Sequence, residues 1–119
     1  VVTVSPNAVQ HLAMAFHELA TNSAKHGVLA SGAGSIVVQW GIATDHEGFD
    51  QFHLEWIETF AEPFLEGIVE AGRGQGFGTV ILKRVTPQAL SATATFESTA
   101  SRIAWRLRGP AKHVINSKA

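Results

Sequence analysis

The chain has 119 residues, the length of one ordinary domain, and 45% of them are hydrophobic, enough for one core and too many for a disordered segment. Nine Lys+Arg against ten Asp+Glu leave a net charge of −1, without the basic excess of a dedicated nucleic-acid binder. There is no Cys, which excludes disulfide scaffolds, thiolate zinc sites, iron–sulfur clusters and cysteine nucleophiles and fits a reducing, cytoplasmic compartment. No apolar run approaches the roughly 20 residues that span a bilayer, and the N-terminus is no signal peptide. Val1-Val2-Thr3-Val4 opens in mid-pattern and reads as the start of an excised piece.

The clearest element runs from Pro6 to His26. Ser5 suits the N-cap, and Pro6 suits the first helical position, where its missing N–H would be unpaired anyway. Val9, Leu12, Phe16, Leu19, Ala20 and Ser23/Ala24 recur at spacings of three and four and predict one buried stripe. Lys25 and His26 occupy the last turn, and Gly27 is expected to close the helix in the left-handed conformation. A loop is expected from Val28 to Gly34. Ser35 to Ala43 and Gln51 to Glu58 then alternate with a period of two, and with Asp45-His46-Glu47-Gly48 between them they predict an antiparallel hairpin.

Thr59 to Gln75 has no clear period and is expected to be a long loop, functional or mobile. Thr79 to Val85 predicts a short helix ending before Pro87, and two last strands fit Ala92 to Glu97 and Arg102 to Leu107. The domain is expected to span residues 1–110, with a polar, frayed tail over 111–119. The element order implies an α+β sandwich: a mostly antiparallel, mixed sheet covered by helices on one face.

On the helix, at about 100° per residue, Leu12 and Phe16 point to the core, while His11, Glu18, Asn22 and Lys25 gather on the opposite side. This pattern alone leaves two readings open. One is a solvated helix face with a weak Glu18–Lys25 attraction. The other is a cation–phosphate site, in which the Asn and carboxylate oxygens suit Mg²⁺ and the lysine meets a phosphate. Gly72, Gly74, Gly76 and Gly78 alternate just before a predicted helix. They fit either a flexible connector or a close backbone approach to phosphate, where Arg73 adds a cation. The run is neither a Walker motif nor a good dinucleotide fingerprint. His17-Glu18 begins like a zinc-protease motif, but Thr21 stands where the second His belongs. On the flank of the stripe, His17 is expected to be a packed structural residue.

His17-Glu18-Leu19-Ala20-Thr21-Asn22-Ser23-Ala24-Lys25-His26-Gly27 resembles the N box of bacterial sensor histidine kinases, in the form found in the HWE subfamily. Trp56-Ile57-Glu58 resembles that subfamily's Trp-x-Glu, and Gly74-Gln75-Gly76-Phe77-Gly78 its second glycine box. The resemblance covers about Pro6 to Lys83. It implies the Bergerat sandwich shared with gyrase and MutL proteins, and Mg·ATP as the ligand. Asn22 would bind Mg²⁺. Glu18 would orient a group near the γ-phosphate, and Lys25 would face the phosphates. His26 would stand where the family's usual aromatic Tyr stands. Glu58 would accept the adenine amino group, and Arg73, Gly74, Gly76 and Gly78 would lie in the ATP lid. One departure is Glu58-Thr59-Phe60-Ala61-Glu62-Pro63, where the family has Gly-Gly-Pro.

The resemblance implies the catalytic domain of a two-component kinase. Its partners would be an upstream His-bearing dimerisation domain, a sensor domain and a response regulator, in a homodimeric full-length protein without nucleic acid. The isolated domain would bind nucleotide but not phosphorylate itself. Two other classes compete: a degenerate domain kept for protein contacts, with little or no ATP affinity, and an ATPase in which Glu18 activates water.

Overall fold

The computed structural model describes residues 2–63 and 77–116. A long helix α1 (Pro6–His26) is followed by one helical turn, α2 (Val28–Ser31), and by the hairpin β1 (Gly34–Thr44) and β2 (Asp50–Phe60). A second helical segment comprises α3 (Phe77–Val80), a π-helical stretch (Ile81–Val85) and α4 (Thr86–Ala89). Strands β3 (Thr93–Ser98) and β4 (Arg102–Pro110) and a 3₁₀ turn (Ala111–His113) complete the chain. Among the described residues the four strands form one sheet in the order β1-β2-β4-β3, and every pairing is antiparallel. With helices on one face it is an α+β fold compatible with a Bergerat-type sandwich. Among the described residues no helix is long and apolar enough to cross a membrane.

Alternation decides which face is covered. Phe52, Leu54 and Trp56 of β2 and Ile103, Trp105 and Leu107 of β4 are buried, and Ala8, Ala15 and Leu19 of α1 meet the same core. Burying each large apolar side chain contributes about 1.5–3 kcal/mol. The buried line of α1 is Ala8, Ala15, Leu19 and Ser23; Val9, Ala20 and Ala24, expected in the stripe, are exposed. The small residues let the helix lie close to its neighbours, and Phe16 on one flank reaches Trp56, ring to ring at 6.0 Å. His17 is exposed, not packed, because its position faces away from that line.

The helical segment does not end before Pro87. Thr86 N–H bonds to the Ile81 carbonyl, five residues back, so the backbone passes the proline through a wide turn. This takes the Leu82 carbonyl out of the helical ladder. The Trp105 indole N–H donates to it at 2.9 Å, satisfying two buried polar groups at once.

The tail expected after Gly109 instead closes the sandwich as far as Asn116. Val114 is buried, Val4 bridges to Ile115, Ser5 N–H donates to the Val114 carbonyl and Asn116 N–H to the Thr3 carbonyl. The stretch Val28–Ser31, read as loop, is helical and ends at Gly32, whose φ of 77° is left-handed. At the sheet's edge, the inward positions Val38, Trp40 and Ile42 of β1 remain 46%, 55% and 37% exposed. On the outer face Arg106 bonds Glu55 at 2.9 Å and Glu97 at 3.3 Å, and Arg102 also reaches Glu97 at 3.3 Å.

Two outcomes follow from this packing. Trp105→Phe keeps the ring but strands the Leu82 carbonyl, and should lower unfolding stability by about 1–3 kcal/mol in urea titration. Hydrogen bonds from Arg102 and Arg106 hold the Glu97 carboxyl below its ordinary value of 4.5. Its stabilisation is therefore complete above that value and lost as pH falls through the lowered one. The stability deficit of Glu97→Gln should be present at neutral pH and disappear in acid.

Candidate functional site

The polar residues of α1 lie beside the core line, not opposite it as expected. From the line through Ala8, Ala15, Leu19 and Ser23, Asn22 and Glu18 are rotated by about 50–100° at 3.6 residues per turn. Both are half-buried, as are His11 and His26, while Lys25 is exposed. Asn7 shares this flank, and its side-chain amide donates to the Ala89 carbonyl at 3.3 Å. The flank bearing Glu18 and Asn22 is thus the one turned towards the second helical segment. Leu12 and Phe16, on the other flank, turn towards β1 and β2.

Among the described residues no side-chain hydrogen bond engages Glu18, Asn22 or Lys25. A half-buried amide and carboxylate, one turn apart and unengaged, are available to a ligand. Among the described residues there is also no group of three or more His, Asp or Glu able to hold a metal by itself. Arg73, Gly74 and Gly76 lie outside the described residues. The backbone of Gly78 is helical, within α3.

Glu58 is placed differently from the other expected site residues. It occupies the inward side of β2, after Phe52, Leu54 and Trp56, and is 1% exposed. Its Oε1 accepts from the Ser23 hydroxyl at 2.8 Å and from Val28 N–H at 2.9 Å, and its Oε2 accepts from the Trp56 indole at 2.8 Å. The Ser23 hydroxyl in turn accepts from Leu29 N–H at 3.1 Å. The end of α1, the start of α2 and the middle of the sheet are tied through one carboxylate.

This also corrects the expectation for Gly27. Its φ of −122° is not left-handed. A glycine is needed there for space: a Cβ would fall on Glu58 Oε1 and lie 2.8 Å from Ser23 Cα. Ser23 and Trp56 were not read as polar partners of this carboxylate. The available signal was a serine on the buried line of a helix and an acid in phase with apolar residues of a strand, since buried polar groups must pair.

Phe60 lies in the stretch where the resemblance implies Gly-Gly-Pro. It is buried in a second cluster with Val28 and Ile103, at the end of β2. Glu62, two residues on, is exposed.

No family model matches the chain. It is similar to the proteins named blue-light-activated histidine kinase from Brucella ovis and Brucella melitensis, 35% identical to each over 98 residues. These alignments cover 82% of this chain and 19% of the relative. The Brucella anthropi protein of the same name is 31% identical over 74 residues, covering 62% of this chain and 15% of the relative. The chain thus spans under a fifth of the length of these relatives, and the similarity supports a histidine kinase family.

Gly27→Ala tests the geometry of this junction. The added methyl must displace Glu58 or the α1 backbone, and should cost about 1–3 kcal/mol of stability by thermal or urea unfolding. Gly32→Ala provides a contrasting substitution, since no atom lies within 4 Å of its added Cβ and only the left-handed backbone resists it.

Proposed function

We propose that this chain is the ATP-binding catalytic domain of a two-component sensor histidine kinase of the HWE kind. The observation that carries this reading is the flank of α1. Glu18 and Asn22 are half-buried there without side-chain partners among the described residues, beside Lys25 and His26. The similarity to histidine kinases supports the same reading.

The residues fit Mg·ATP by their chemistry. Magnesium keeps several waters and takes one or two protein oxygens together with phosphate oxygens. Asn22 would supply one oxygen donor and Glu18 a second, directly or through water. When bound, the ion would neutralise charge on the transferring phosphoryl group. Lys25 would add a compact positive charge, His26 would line the nucleotide, and Glu18 would orient a group beside the γ-phosphate. Arg73 and the glycines Gly74, Gly76 and Gly78 would close over the phosphates, with backbone amides as donors.

In this reading the phosphoryl group goes to a His on a separate dimerisation domain of the same cytoplasmic, homodimeric protein. It passes from there to a response regulator under the control of a sensor domain. His17 is not the acceptor. It sits on α1, inside the ATP-binding domain itself.

Phe60 favours a second reading, in which the domain keeps its fold for protein contacts and binds little ATP. A buried aromatic residue lies in the stretch where the resemblance implies Gly-Gly-Pro, so the adenine end of the site would be reshaped. One experiment separates the readings. Calorimetric titration of the 119-residue chain with Mg·ATP should give binding that Asn22→Ala weakens by about tenfold or more. No heat at millimolar ligand would reject the catalytic reading in favour of the degenerate one. Radiolabelled ATP should leave no phosphate on the isolated chain, and steady hydrolysis would point instead to an ATPase with Glu18 acting on water.

A further inference from the structure

Glu58 is the most deeply buried charged side chain described, and its one expected role in the nucleotide site is to accept the adenine amino group. Oε1 has two donors, Ser23 and Val28, which fill both its lone-pair directions. Oε2 has the Trp56 indole. At 1% exposure the residue offers almost no surface to the amino group of a base. Its donors come instead from the last turn of α1, the first residue of α2 and its own strand. Ser23 directly follows Asn22, and Val28 lies two residues after His26. The missing Cβ of Gly27 leaves the room in which the carboxylate sits.

We infer that Glu58 is a positioning residue: through Ser23 and Val28 it fixes the end of α1 that carries Asn22, Lys25 and His26, and it does not itself read the nucleobase. The second half of this statement rests on the nucleotide reading; the anchoring of the helix end does not. The distinction has a measurable consequence. A site that reads a substrate N–H discriminates strongly against an analogue lacking it. A residue that only sets the position of the phosphate-facing groups changes affinity for every nucleotide alike.

The test uses the 119-residue chain, its Ser23→Ala and Glu58→Gln variants, and two ligands, Mg·ATP and Mg·ITP, the latter with an oxygen in place of the adenine amino group. Amide hydrogen exchange at Val28 and Leu29 should accelerate by roughly tenfold or more in both variants. Affinity for the two nucleotides should fall by a common factor, leaving their ratio within about twofold of the parent value. Unchanged exchange in both variants would overturn the inference. So would full Mg·ATP affinity in a folded variant whose exchange has accelerated, or an ATP:ITP ratio that shifts about tenfold in Glu58→Gln and not in Ser23→Ala.

Should Glu58→Gln fail to fold, Ser23→Ala decides on exchange and on the common loss of affinity, since it removes one donor and leaves the carboxylate in place. Should the parent chain bind neither nucleotide, the proposed function fails. The exchange measurement then decides the anchoring: acceleration upholds it and its absence overturns it.

Discussion

A carboxylate buried among apolar neighbours is stable only when its oxygens are hydrogen-bonded, and the Glu58 side chain meets that demand with three donors from three parts of the chain. The constraint acts in both directions. The acid requires the helix end, the following turn and the indole to be where they are, and they require the acid. Leaving such a group without a partner is far more costly than the modest net gain from forming its bonds. The junction therefore specifies the angle at which α1 leaves the sheet more than it adds to overall stability. The tight space at Gly27 is part of the same constraint, because a side chain there would occupy the position of the carboxylate.

The rest of the sandwich distributes the consequences. With Ser23 fixed at one end and Ala8 and Ala15 buried along its length, α1 cannot rotate about its axis without losing packing. Its two flanks acquire different surroundings: Leu12 and Phe16 belong to the apolar side against β1 and β2, while Glu18 and Asn22 face the second helical segment. That segment is held by a similar device. The π-helical turn before Pro87 frees the Leu82 carbonyl, and Trp105 takes it up, so β4 holds this segment as β2 holds the end of α1. The space between the two helical segments is thus framed by two buried side-chain bonds to the sheet, one through Glu58 and one through Trp105.

Short periods in the sequence specify several of the elements that the structure contains. The helix from Pro6 to His26, its Ser5 cap, the hairpin and the inward face of β4 follow from local spacing, and local spacing is what neighbouring residues in an element sense first. The departures are equally specific. Gly27 was expected for its left-handed freedom and is needed for room. Val9, Ala20 and Ala24 matched an apolar stripe by spacing, yet they lie roughly 80–150° round the helix from the buried line through Ala8, Ala15, Leu19 and Ser23, because the sheet sets which side of the helix is covered. The last residues looked polar on average and hid Val114, which is buried through pairing of the two chain ends.

By itself the sequence determined the α+β element order, the long amphipathic helix and the set of polar residues worth watching on it, because each is written in spacings of two to four residues. It could not determine which of those residues share a surroundings. The resemblance implies one site for Glu18, Asn22 and Glu58, but two project beside α1 and the third is enclosed beneath it. That division depends on the donors that residues 23 and 28 bring from a distant part of the chain to the strand that carries residues 56 and 58, and only the folded sheet places a carboxylate within hydrogen-bonding distance of all three.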